Sequence, residues 1–163
     1  MKRLLIVWHS RTGAARAMAD AAARGAGAEA GVEARMLMAE AAGPDDLLAA
    51  DGYLFACPEN LAAMSGAMKE FFDRNYYPVL ERLNGRPYGM LIAAGSDGTN
   101  AVRQMARIAT GWRLKPIAEP IIVCTHAQAP EAILAPKTVP DADLARCEEL
   151  GAALAAGLAM GVF

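Results

Sequence analysis

The sequence predicts an α/β fold in three layers, a five-stranded parallel sheet with helices on both faces, and three observations carry that prediction. Apolar runs of strand length alternate with stretches of helical period along the chain. The stretch LLIVWHSRTGAARAMADAAARGA, Leu4 to Ala26, delivers a short apolar strand through Ser10, Thr12 and Gly13 directly onto an Ala-rich helix. The length of 163 residues suits one domain, 1–163, able to bury most of its apolar surface.

The strands are expected at Arg3 to Trp8, Glu33 to Leu37, Gly52 to Ala56, Tyr88 to Ala94 and Glu119 to Cys124. Between them lie helices near Ala14 to Gly25, Pro44 to Ala49, Ala62 to Asn75, Asn100 to Thr110 and Asp141 to Met160. In the helix from Ala62, the side chains of Met64, Ala67, Met68, Phe71 and Phe72 recur at three- and four-residue spacing, which makes them a core face. The last helix becomes almost wholly apolar through Leu154, Leu158, Met160 and Phe163, an end that a subunit interface would explain. Thr125 to Pro140, with three prolines, is the one long irregular segment, of the length that lids and oligomer contacts use.

Composition excludes several classes. Hydrophobic residues are 55% of the chain, inflated by alanine. No apolar run reaches the roughly 18 residues that span a membrane. Lys2 and Arg3 lead into too short an apolar run for a signal peptide, so a soluble cytoplasmic protein with no membrane partner is expected. The net charge of −2, with scattered basic residues, leaves nucleic acid without an electrostatic footprint. Cys57, Cys124 and Cys147 have neither zinc-ligand spacing nor an even number, so no metal site or disulfide is expected and they read as reduced thiols, mostly buried.

A helix start carries unpaired N–H groups and partial positive charge, so a hydroxyl-bearing turn placed there holds an anion without lysine. Ser10 and Thr12 supply hydroxyls and Gly13 allows close backbone approach. Neither the three-glycine dinucleotide fingerprint nor a Gly-Lys-Ser/Thr loop is present, which points to a monophosphate. A turn of this composition is equally a helix cap and a tight bend.

Ligands of open parallel sheets bind outside the strands' carboxyl ends. HSRTG at 9 to 13 follows the first strand, CPENLAAMSG at 57 to 66 the third and AGSDGTN at 94 to 100 the fourth. Pro58 fixes the backbone leaving its strand and introduces Glu59 and Asn60; Gly95 and Gly98 flank Ser96 and Asp97. Each loop alone reads as a turn and cap, with Ser96, Asp97 or Thr99 capping the next helix, but three on one edge argue for a site.

At these loops the chain resembles the flavodoxin-like superfamily, and within it the small NAD(P)H-dependent FMN reductases and flavodoxin-type quinone reductases. Ser10, Thr12 and Gly13 match their phosphate turn, Ser/Thr-x-Thr-Gly-x-Ser/Thr, while the final hydroxyl falls at Ala15. PENLAAMSGAMKEFFDR resembles their second flavin loop and its helix, with Gly66, Lys69 and Asp73 at the family spacing, and AAGSDG resembles the third loop. The similarity runs from about residue 3 to 123. It implies strand order 2-1-3-4-5 and one FMN at the carboxyl edge. The phosphate would sit on Ser10, Arg11, Thr12, Gly13 and Ala14. The isoalloxazine would lie between Pro58, Glu59, Asn60 and Leu61 on one side and Gly95, Ser96, Asp97 and Gly98 on the other. The missing hydroxyl at Ala15 removes a hydrogen bond worth roughly 0.5–1.5 kcal/mol to a neutral group and more to phosphate, with Arg11 placed to compensate.

The function implied is an FMN-binding oxidoreductase that takes two electrons from NAD(P)H as co-substrate and gives them to a quinone or similar small acceptor, with flavin N5 carrying the chemistry and no catalytic side chain. Electron-carrying flavodoxins are strongly acidic and flank the flavin with aromatics, whereas here the charge is nearly balanced and neither CPENLA nor AGSDG holds an aromatic residue. The alternatives are a flavodoxin-type electron carrier and a fold relative with weak or lost FMN binding that acts as a binding module. A homodimer or larger homo-oligomer is expected from the apolar carboxyl end.

Other residues read as structural. His9 at a strand end satisfies local backbone, His126 is a solvated loop histidine, and Cys57 is a packing thiol. Tyr76 and Tyr77 are packing or interface residues, and Trp112 anchors the sheet. Asp45, Asp46, Asp141 and Asp143 precede helices, where acids complement the dipole. No Ser/His/Asp set can be assembled.

Overall fold

A computed structural model describes residues Met1–Phe163. The first strand, β1 (Lys2–Trp8), runs through four fully covered residues, Leu4 to Val7, as a central parallel strand must when helices lie on both faces. It feeds α1 (Ala14–Gly27) and returns as β2 (Val32–Met38), the edge strand, where only Val32 is buried. A short α2 (Pro44–Ala49) leads to β3 (Gly52–Asn60), which pairs with the far side of β1. Then follow β4 (Ala63–Met64), α3 (Gly66–Asn75), β5 (Pro87–Ala94), α4 (Thr99–Gly111), β6 (Lys115–Pro116), β7 (Ile121–Cys124), α5 (Pro130–Leu134) and α6 (Asp141–Met160).

The sheet order is β2-β1-β3-β5, closed at the far edge by β6 and β7, both parallel to β5. This is the expected 2-1-3-4-5 order, with two short extra strands bringing the total to seven. The expected fifth strand is shorter than foreseen and starts at Ile121.

The structure corrects the third helix. The apolar spacing from Met64 onward continues the helical pattern, yet the helix starts at Gly66, and Ala63–Met64 instead form β4, antiparallel to the end of β3. Main-chain pairing of Asn60 with Ala63 and of Glu59 with Met64 wins over the local period, and the core still receives Met64.

Two apolar layers flank the sheet. One face packs against α2, α3 and α4 around Phe55, Phe71, Phe72 and Trp112, whose indole N–H donates to the Tyr76 carbonyl at 3.1 Å. The other packs against α1 and α6. Here the alanine bias has its cause: a Cβ on Gly151 would overlap the Ala22 backbone, and one on Gly25 would overlap that of Glu148. The two helices therefore touch backbone to backbone, which only small side chains permit. Leu154 and Leu158 are buried in this layer, so the apolar end of α6 serves the chain's own core, leaving Met160, Val162 and Phe163 exposed. Cys57 and Cys147 are buried free thiols and Cys124 is half-buried.

Candidate functional site

The carboxyl ends of β1, β3, β5 and β7 lie side by side, so the loops that follow them converge on one edge. The turn after β1 ends at Gly13, whose φ of 101° lies in the left-handed region and lets the chain swing into α1 without a Cβ clash. The Gly13 N–H donates to Ser10 Oγ at 3.1 Å, which rigidifies the turn. The N–H groups of Arg11, Thr12, Ala14, Ala15 and Arg16 find no acceptor within the protein, a concentration of free donors over the positive end of a 14-residue helix.

The second loop is a hairpin. Leu61 and Ala62 form its two-residue tip with φ of 51° and 61°, the geometry of a type I′ turn built without the usual Asn-Gly pair. The first turns of α4 hold it in place: Asn100 Nδ2 donates to the Ala62 carbonyl at 2.5 Å and Gln104 Oε1 accepts the Met64 N–H at 2.9 Å. Ser65, fully buried, lies 2.8 Å from His9 Nδ1 and so joins this loop to the strand before the phosphate-type turn. The His9 main-chain N–H donates to the Ala56 carbonyl, while its imidazole, expected to satisfy local backbone, instead meets the Ser65 hydroxyl, 56 positions away. Burial lowers the His9 pKa below 6.5, Glu40 pulls it up and Arg11 pushes it down again. Burial also drives the Cys57 thiol up to about 12, so it is neutral and inert beneath the site.

The third loop, after β5, turns at Gly98, with φ of 90°; a Cβ there would press within 2.7 Å of Ile122 Cγ2. Asp97 Oδ1 accepts the Thr99 N–H at 3.2 Å and so holds the turn that enters α4, but the N-cap position is Gly98, without a side-chain cap, and not Asp97 as the composition suggested. Glu59 reaches across from β3 to accept the Gly98 N–H at 2.9 Å.

Together the loops border a solvent-open cleft of about 80 Å³. Of the residues singled out from sequence, Ser10, Arg11, Thr12, Ala14, Pro58, Glu59, Asn60 and Gly95 line it. Gly13 sits beneath the turn, Gly98 is packed under its loop, and Leu61, Ser96 and Asp97 project outward as exposed residues. Sequence reasoning passed over part of the wall: Ala93, Ala94, Thr125, Ala127, Ile133 and Lys137. Four of these belong to the segment after β7, and the rule that named the other loops, applied to the fifth strand, names this one too.

The family-model comparison decides the identity. The model described as NADPH-dependent FMN reductase matches residues 41–129, more than half of the chain. This chain belongs to that family. The matched span contains the second and third loops of the FMN reductase fold, while the turn at 10–13 lies outside it and is read from its own geometry. A curated relative, a flavodoxin of Aquifex aeolicus, is 37% identical over 73 residues, covering 45% of this chain and 40% of the relative; the chain thus matches less than half of that protein's length. Among solved structures, a flavodoxin, WrbA-like protein from Agrobacterium tumefaciens superposes with a TM-score of 0.77 at 19% identity, covering 99% of both chains. A flavodoxin from the domain Archaea gives 0.74 at 19% identity, over 96% of this chain and 98% of the other. The flavodiiron protein from Giardia intestinalis gives 0.76 at 17% identity, covering 99% of this chain but 37% of that one. These likenesses establish the flavodoxin-like fold. No helix is long and apolar enough to cross a membrane.

Proposed function

We propose that this FMN reductase family member binds one FMN in the cleft and transfers two electrons from NADH or NADPH to a quinone or similar small acceptor. The observation that carries the reading is the polarity of the cleft along its length. One end is the turn of free N–H groups over the α1 terminus, suited to a phosphate monoester; the other, between Asn60 and Gly95, is built from backbone and small side chains, with the Glu59 carboxylate turned to the N–H groups at the start of α4, and suits a flat heteroaromatic ring.

The residues fit the group by their donor chemistry. Ser10, already oriented by Gly13, keeps its own hydroxyl proton to give, and Thr12 offers a second hydroxyl beside the free amides. Pro58, Asn60 and Gly95 would bracket the ring, with Glu59 locking the two ring loops to each other and not to the ligand. FMN, when bound, supplies hydride acceptance from a nicotinamide and electron delivery to the acceptor. The chain's contribution is to orient the ring, neutralise the phosphate and leave one face open. No aromatic side chain lines the cleft, so a nicotinamide or a quinone meets no stacked residue that it would have to displace.

The test is an absorption spectrum after FMN addition and desalting, followed by NADH and NADPH under anaerobic conditions. A retained flavin band bleached by either nucleotide supports the reading, and a colourless protein with no thermal shift from FMN overturns it. A flavodoxin-type carrier is the second reading, favoured by the name of the curated relative. Reductive titration separates the two: a carrier takes up its electrons in two steps at well-separated potentials and ignores nicotinamide nucleotides.

A further inference from the structure

The segment from Thr125 to Pro140 is a strap tied down at both ends of the cleft. At one end the His126 N–H donates to the Gly95 carbonyl at 2.8 Å; at the other the Lys137 N–H donates to the Thr12 carbonyl at 2.8 Å. Val139, 4% exposed, plugs the strap into the core layer shared by α1 and α6, whereas no residue of α5 between the ties is buried. The strap is therefore tied where it meets the ring loop and the anion turn, with the unburied turn of α5 between the two ties.

Its side chains bring charge to one end. Lys137 is among the residues lining the cleft, alongside Ser10, Arg11 and Thr12. Its ammonium donates to the carbonyls of Ile133 at 2.8 Å and Ala135 at 2.5 Å, and has no carboxylate within salt-bridge distance. An ammonium has three donors, and two are engaged, so one N–H remains unspoken for. The carbonyl pair holds the amine in place, so little rotamer freedom is left to lose on binding an anion. Arg11, the other cation at the cleft, is exposed and screened by water. Apart from Arg11, the anion turn contributes only neutral donors and has an alanine, Ala15, at the position of a further hydroxyl. A phosphate monoester carries between one and two negative charges at neutral pH, more than the half-charge of a helix end offsets.

We propose that Lys137 is the phosphate-selectivity residue of this site: the strap carries its ammonium to the monophosphate end, so that the cleft distinguishes FMN from the uncharged riboflavin. The inference rests on the FMN reading above. It assigns to the strap a role in choosing the cofactor's phosphorylation state, with the reacting ring untouched.

Equilibrium dissociation constants of FMN and riboflavin, read by flavin fluorescence for the wild type, Lys137→Met and Lys137→Arg at low and high salt, test it. Lys137→Met is expected to weaken FMN about 10-fold or more, leave riboflavin unchanged and flatten the salt dependence for FMN, with Lys137→Arg restoring most of the loss. Unchanged FMN affinity in Lys137→Met overturns the assignment. So does a loss shared equally by riboflavin, which marks the lysine as a support of the strap alone. A wild type that binds neither flavin overturns the FMN reading itself, and with it this proposal. A wild type that binds both flavins equally overturns the proposal alone.

Discussion

The carboxylate of Glu59 accepts the Gly98 N–H at 2.9 Å and the Ala101 N–H at 3.5 Å, so the end of β3 caps the start of α4 and the two ring-end loops form one rigid unit. A hydrogen bond to a charged group contributes about 1.5 kcal/mol or more. In a chain of this size that corresponds to a melting temperature lowered by roughly 3–6 °C in Glu59→Ala. Glu59→Gln keeps an acceptor but loses the charge at the helix start, and is expected to lose only about a third as much. Thermal denaturation without flavin checks both, and identical melting of all three proteins counts against the coupling.

The hairpin tip stores strain. Leu61 and Ala62 both hold positive φ, at 51° and 61°, and Leu61 is fully exposed, so no buried contact compensates. Replacing the pair as Leu61→Asn with Ala62→Gly supplies residues that favour a type I′ turn. A gain of about 1 kcal/mol, read as a melting temperature raised by roughly 2–4 °C, is expected. A lower melting temperature would show that the left-handed tip is not the strained element.

At Gly151 two effects compete. Alanine in a helix interior is favoured over glycine by about 1 kcal/mol. A Cβ at 151, however, runs into the backbone of Ala22, which cannot move without displacing α1 from the sheet. Overpacking of this kind costs about 1–3 kcal/mol or more, so Gly151→Ala is expected to be destabilised on balance. Gly27→Ala, where the added methyl meets nothing within 4 Å, serves as the control and is expected to be neutral or slightly stabilised.

Burial holds the His9 imidazole below its ordinary value of 6.5, with Glu40 opposing and Arg11 adding to the shift. The unfolded chain then takes up its proton at a higher pH than the folded one. The contribution is fully present above about pH 6.5 and is lost as pH falls through the folded value. His9→Asn, which keeps a polar partner for Ser65, is expected to flatten the fall in melting temperature between pH 7 and pH 5. Parallel wild-type and variant profiles would assign that slope to other groups.

Much of this architecture is written locally. The short, fully apolar run Leu4 to Val7, followed closely by the turn residues 10–13, reads as a strand covered on both faces, and the helix boundaries at Pro44–Ala49 and Asp141–Met160 follow from proline and acidic residues at their starts and the apolar pattern within them. The anion turn was legible for the same reason: Ser10, Thr12 and Gly13 are consecutive or nearly so, and their role depends on one strand end and one helix start.

What the sequence by itself determined is therefore the order of elements, the layer architecture and the three loops after β1, β3 and β5. Only the tertiary structure decided which atoms face the cleft. Glu59 turned to Gly98 and Asp97 to Thr99 because unpaired N–H groups at the start of α4 lay within reach. Met64 left the helix its spacing suggested because Glu59 offered main-chain pairing. Lys137 came to the anion turn through a hydrogen bond to Thr12, 125 positions away in sequence. Such contacts depend on chain segments that share no local pattern, since hydrogen bonds between distant loops leave no periodicity to read.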